Sequence, residues 1–207
     1  MSYDPRANGA NCDWCPCNHL TPVPPEGNWD TALIAVIGEG PGAQEVKWRK
    51  PFIGPSGKKL AEICGQAGIN RSQLWITNAI LCRAEVPDLI GKKRFDIPTY
   101  LAWIRLENRR RKKAGEQHLQ NPFDCCQSRL YFELTMMEKA AASRGQPNGA
   151  VVMPLGNEAL NVIAGRRKIS RWRGSPIPLD WSKPIVRSAP EVPLPTPVTT
   201  KEDEIPW

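Results

Sequence analysis

The sequence predicts a three-layer α/β domain built on a mainly parallel sheet. Two observations carry this. Apolar, β-rich runs at 32–38, 73–81 and 150–156 alternate with segments of helical pattern. The first run feeds directly into a glycine-rich turn, Gly38-Glu-Gly-Pro-Gly42. A turn of this kind at the carboxyl end of a strand is where open α/β sheets place ligands. Glycines at 38, 40 and 42 let the backbone approach a flat or charged ligand closely. By itself, the turn is equally well read as a plain strand-to-helix connection.

The elements follow in order. Residues 1–30 are irregular and rich in Pro, Asn and Cys, a composition that a metal would order where little else does. After the turn, a helix runs from about Ser56 to Ala67 and is stopped by Gly68. Gln73–Leu81 is rich in β-branched and aromatic residues and reads as the second strand. Residues 83–121 form a basic insert whose helix, from Thr99 to about Lys113, carries Arg105, Arg109, Arg110, Arg111, Lys112 and Lys113. Phe123 to Ser143 has helical period, with Leu130, Leu134 and Met137 on one face. Residues 150–156 give the third strand, and Asn157 opens a short helix that ends at Gly165. A second basic stretch, including Arg171 and Arg173, comes next. From 183 to 207 the chain is dominated by Pro, Val and Thr and ends near Lys-Glu-Asp-Glu, an extended or disordered composition. The expected division is a domain at 1–182 and a Pro-rich tail at 183–207.

At 207 residues the chain suits a single domain with appendages. Its net charge of +7 suits a polyanion partner. No apolar run reaches the length of a membrane span. The polar start, Met1-Ser-Tyr-Asp-Pro-Arg6, lacks an apolar signal core, so a cytoplasmic location is the default expectation. Seven cysteines in such a chain point to metal or redox use more than to a disulfide framework. Cys64 sits in a helical pattern and reads as a small core residue. Cys12-Asp-Trp-Cys15 is a metal-type pair, Cys82 closes a strand, and Cys125-Cys126 opens a helix. A zinc ribbon wants a second such pair, and the chain has none. One close pair with two dispersed cysteines fits a cubane iron–sulfur cluster better.

Taken together, the motifs fall in a specific order: Cys-x-x-Cys at 12–15, Gly-Glu-Gly-Pro-Gly at 38–42 with Glu45, and Pro51-Phe52-x-Gly-x-x-Gly57. Ile76-Thr-Asn78 with Cys82 follows, then Cys126 with Leu130 and Leu134, Leu155-Gly156 with Ala159, and Arg173-Gly174. In that order and spacing, from about Cys12 to Gly174, the chain resembles the iron–sulfur uracil-DNA glycosylases of the family-4 type. The resemblance implies a central, mainly parallel four-stranded sheet and a 4Fe–4S cluster held by Cys12, Cys15, Cys82 and Cys126, with Cys17 and Cys125 as possible substitutes. It also implies DNA as the partner, single- or double-stranded and containing uracil. Phe52 corresponds to the family's stacking aromatic, and Asn78 to the amide that pairs with the uracil edge. Gly40 lines the same pocket, and Glu39 and Glu45 are the candidate catalytic carboxylates, with Glu39 nearer the sugar. The chemistry asks for these types. A flipped-out base needs a stacking ring and an edge-reading amide, and an oxocarbenium-like sugar needs a carboxylate. Arg109, Arg110, Arg111, Lys112 and Lys113, with Arg171 and Arg173, are the expected phosphate contacts, although charge runs are commonly solvated helix faces.

The chain departs from the family at its last motif, where a His-Pro-Ser histidine donates to uracil O2. The counterpart here is Ala189-Pro190, and the only histidines are His19 and His118. Losing one such donor typically costs ~10²–10³ in rate. His118, in the basic insert, is a further candidate as a sugar-attacking group. Two readings therefore stand: an active glycosylase, or a catalytically degenerate module that binds DNA or a partner. In the second, the tail, with its terminal aromatic, suits a docking peptide for a replication or repair protein. A monomer is expected in either case.

Overall fold

A computed structural model describes residues 3–85, 97–146 and 149–179. Strands β1 (Ile34–Gly38), β2 (Leu74–Asn78) and β3 (Val151–Pro154) form an all-parallel sheet in the order β2-β1-β3. The sheet thus has three strands among the described residues, where four were expected. The expected fourth strand has no counterpart among them, and the chain beyond 179, with the tail and Ala189, lies outside the described residues.

The helices are α1 (Ala43–Trp48), α2 (Pro55–Gln66), α3 (Ile97–Ala114), α4 (Pro122–Ser143) and α5 (Asn157–Ala164). The strand alternation sorts the core into two faces. Val36, Leu74 and Ile76 pack with Leu60 and Cys64 of α2 on one side. Ala35, Ile37 and Trp75 pack with Leu130, Leu134 and Met137 of α4 and with Val162 and Ile163 of α5 on the other. This is the expected layering of helix, sheet and helices. Ile37, Ile76 and Leu130 are fully buried, and each such side chain contributes roughly 1.5–3 kcal/mol of burial.

Helix starts follow local chemistry. Pro122 occupies the first turn of α4, and the Asn121 side chain accepts from the Phe123 N–H at 3.1 Å. The N-terminal segment is tied to the outer side of β2. The Glu26 and Ile76 backbones exchange two hydrogen bonds of 2.8 Å in an antiparallel bridge, and Val23 N–H donates to the Leu81 carbonyl at 2.8 Å. Further back, Asn11 N–H donates to the Cys125 carbonyl at 2.8 Å. No helix among the described residues is long and apolar enough to cross a membrane.

Candidate active site

The carboxyl ends of the three strands meet at one place. Gly38 and Asn78 are register partners, and past them Ala79 N–H donates to the Gly38 carbonyl at 2.8 Å, while Leu155 N–H donates to the Ile37 carbonyl at 2.8 Å. Glu39, Asn78 and Gly156 are thereby brought side by side.

Gly38 is the floor of the site. A Cβ there would stand 2.3 Å from Asn78 Oδ1 and 2.7 Å from Phe52 Cζ, so both side chains close over this glycine. Asn78 is only 3% exposed, yet its amide has no hydrogen-bond partner among the described residues. Its polar atoms are not among the fully enclosed unsatisfied ones, so the amide stays open to a ligand or a water at the strand end.

Glu39 is oriented by its neighbour across the sheet. One oxygen accepts from the Glu158 N–H, in the first turn of α5, at 3.2 Å. Its carboxylate also packs on Gly156, whose φ of +105° and lack of a Cβ leave the space that Glu39 fills. Glu45 is used locally: its carboxylate accepts from the Gly42 N–H and closes the capping box at the start of α1. Gly40 packs on Ile80.

Phe52 is held under constraint. Its φ is +52°, unusual for any residue with a side chain. The Arg71 guanidinium fixes that stretch, donating to the Pro51 carbonyl at 2.7 Å and to the Phe52 carbonyl at 3.3 Å. Arg71 is itself held in a bidentate pair by Glu26, at 2.8 and 2.7 Å. Glu26 is the residue bridged to Ile76, two positions before Asn78. One carboxylate therefore braces both the backbone at Phe52 and the strand that carries Asn78.

Partial burial pushes the Glu26 carboxyl up, but the hydrogen bonds and charge of Arg71, with Lys50, outweigh it and hold the group below its ordinary value of 4.5. A depressed carboxyl contributes stability that is complete above its unfolded-state value and is lost as pH falls through the folded one. The clamp is therefore expected to hold through neutral and mildly acidic pH and to release below about pH 4.5. Urea midpoints measured down to pH 3 should fall more steeply in the parent than in Glu26→Gln; identical pH profiles would exclude the clamp.

Behind β2 lies a fully buried ion pair. Arg129 of α4 donates to Glu133 Oε2 at 2.8 Å, Thr77 Oγ1 at 3.0 Å, and the Asn78 and Ala79 carbonyls at 2.7 and 3.2 Å. The Tyr3 hydroxyl donates to the other oxygen of Glu133. This network fixes the backbone at Asn78, and sequence reasoning did not identify it.

The cysteines Cys12, Cys15, Cys17, Cys82, Cys125 and Cys126 ring a cavity of about 360 Å³. Every pairing among Cys12, Cys15, Cys82 and Cys126 is close enough for their charges to interact. The neighbouring Cys125 and Cys17 thiols hold the Cys15 thiol below its ordinary value against its burial, while burial pushes Cys82 up to about 12. Cys17 also meets the Tyr100 hydroxyl at 3.5 Å. Among the described residues no group of three or more His, Cys, Asp or Glu side chains is arranged to hold a metal ion. The thiols gathered around this half-open cavity, with Asp4 and Arg49 also on its wall, are the soft donors that an iron–sulfur group takes. Cys64 is buried in the core beneath α2, away from this cavity.

The basic run on α3 is less free than its sequence suggests. Arg110 pairs with Glu107 at 2.7 Å and Glu116 at 3.2 Å, and Arg111 with Glu107 at 3.1 Å. Arg109, Lys112 and Lys113 are exposed, as are Arg171 and Arg173. His118 is exposed on a return segment pinned to α3, where Asn108 exchanges two hydrogen bonds with the Leu119 backbone, at 2.9 and 2.7 Å.

The ends of the parallel strands thus gather an aromatic ring, a side-chain amide and a carboxylate around Gly38 and Gly156. The sequence model of the Uracil DNA glycosylase superfamily matches residues 24–197, and the chain belongs to that family. It is 42% identical over 74 residues to the type-4 uracil-DNA glycosylase of Thermotoga maritima, covering 35% of this chain and 38% of that protein. It is 37% identical over 75 residues to that of Pyrobaculum aerophilum, again 35% and 38%. To that of Saccharolobus solfataricus it is 44% identical over 62 residues, covering 30% and 28%. The matched segment thus spans less than two fifths of these relatives' length.

Proposed function

We propose that the protein is a uracil-DNA glycosylase that takes a flipped-out uracil and hydrolyses its N-glycosidic bond. The observation that carries this reading is the buried, unpartnered amide of Asn78 beside the constrained Phe52 ring, in a chain of this family. Phe52 stacks on the base. Asn78 donates to uracil O4 and accepts from N3–H, a pattern that cytosine cannot match. Glu39, oriented by the Glu158 N–H, faces the sugar, stabilises the developing cation and takes a proton from the attacking water. The water oxygen bonds to C1′ as the C1′–N1 pair leaves with uracil. Glu45 supports the turn that carries Glu39.

Cys12, Cys15, Cys82 and Cys126 would hold a 4Fe–4S cluster. That group would join the N-terminal segment, the end of β2 and the start of α4, and it takes no part in bond cleavage. Cys17 and Cys125, whose thiols neighbour Cys15, are the reserve ligands. DNA would be met through the exposed members of the two basic stretches.

The test is an alkali-cleavage gel assay on single-stranded DNA bearing one uracil. Cleavage by the parent is expected, and its loss in Glu39→Ala. Gly38→Ala should also abolish it, since the new methyl would displace both Phe52 and Asn78. A second reading, a degenerate DNA- or partner-binding module, is favoured by the absence of histidine from the family's last motif. Binding without any cleavage would establish that reading. The tail's role as a docking segment for a replication or repair protein, like the monomeric state, belongs to this proposal and rests on composition alone.

A further inference from the structure

We propose that Lys47-Trp48-Arg49-Lys50 is a single-stranded DNA contact in which Trp48 stacks a base next to the flipped uracil; this rests on the glycosylase reading above. Trp48, the last residue of α1, is 65% exposed. Single exposed apolar residues are ordinary, but this one has cations on both sides. Lys47 Nζ lies 5.5 Å from the Trp48 ring centroid. Neither Lys47 nor Arg49 has an ion pair among the described residues, and Lys50 alone is engaged, 3.4 Å from Glu26. On α3, by contrast, Arg110 and Arg111 are neutralised by Glu107 and Glu116. Arg109, Lys112 and Lys113 on α3 are exposed as well, but the cations of the 47–50 segment flank an exposed aromatic.

Its placement is fixed at both ends. Glu45 is locked to Gly42, and the Pro51 and Phe52 carbonyls are held by Arg71. Between them Arg49 adopts a left-handed conformation, φ +51°, which ends α1 and turns the chain toward Phe52. Such a conformation at a non-glycine residue is uncommon and gathers at functional sites. Trp48 and Phe52 are separated by at most about 14 Å of chain, the reach of a neighbouring nucleotide. An exposed aromatic among cations is the platform on which unstacked bases settle with little regard to sequence.

Fluorescence anisotropy on labelled oligonucleotides of about 15 nucleotides, one with a single uracil and one with thymine only, tests this. Trp48→Leu is expected to weaken binding to both by roughly tenfold, leaving their ratio unchanged, whereas Trp48→Phe keeps most of the affinity. Lys47→Ala with Arg49→Ala should flatten the slope of log affinity against log salt by about 1.4, or about 0.7 per lost phosphate contact. Phe52→Leu should weaken only the uracil oligonucleotide. Equal affinities for the parent, Trp48→Leu and Trp48→Phe on thymine-only DNA would overturn the platform. A parent that does not prefer uracil would instead undercut the glycosylase reading, with the Trp48 comparison on thymine DNA still decisive for the platform.

Discussion

Arg129→Met is expected to cost the fold about 3–5 kcal/mol, read as a shift of the urea unfolding midpoint. Arg129 and Glu133 are both fully buried, 2.8 Å apart. Removing the guanidinium leaves a buried carboxylate with only the Tyr3 hydroxyl to answer it. It also strips donors from Thr77 Oγ1 and from the Asn78 and Ala79 carbonyls. Removing both charges differs in kind, because the cost of burying an uncompensated ion disappears with its partner. Arg129→Met with Glu133→Leu should therefore recover a substantial part of the loss, though not all, since the two carbonyls still lose their donors. A single variant that unfolds within 1 kcal/mol of the parent (roughly the worth of one ordinary hydrogen bond) would show that the pair holds nothing in place.

That network also explains how far the sequence could be read. The alternation of strands and helices and the glycine-rich turn after the first strand were legible because each depends on local pattern. The second strand was expected to reach Leu81 but ends at Asn78. Ala79 and Ile80 still donate toward β1, while Arg129 takes the carbonyls of Asn78 and Ala79. A strand end set by a side chain 50 residues away leaves no trace in periodicity. Arg129 and Glu133, spaced four apart beside the apolar stripe of α4, look in sequence like an ordinary surface pair; only packing against β2 buries them. Glu26 and Arg71 are likewise 45 residues apart. Helix α1, at six residues, is too short for a helical period to register. The pairing of Arg110 with Glu116 was hidden for a related reason: Glu116 reaches it only because the chain turns back after α3.

Asn78→Ala is expected to lower kcat/KM for uracil removal by about 10²–10³, the loss typical of one donor facing the developing charge, in single-turnover assays on uracil-containing single-stranded DNA. Its effect on stability should go the other way. Truncating a buried asparagine that is hydrogen-bonded within the protein leaves its partner unsatisfied and costs about 1–3 kcal/mol. Asn78 has no such partner among the described residues, so its removal should leave the urea midpoint unchanged or raise it. Activity lost with stability kept is the signature of a group retained for a ligand at the fold's expense. The opposite pair of results, a destabilised protein that still cleaves uracil at the parent's rate, would make Asn78 a structural amide and would remove the observation on which the proposed function chiefly rests. Because Phe52 closes over the same glycine, Phe52→Leu should share the activity loss without the gain in stability. The two variants together separate a base-reading amide from a merely well-packed strand end.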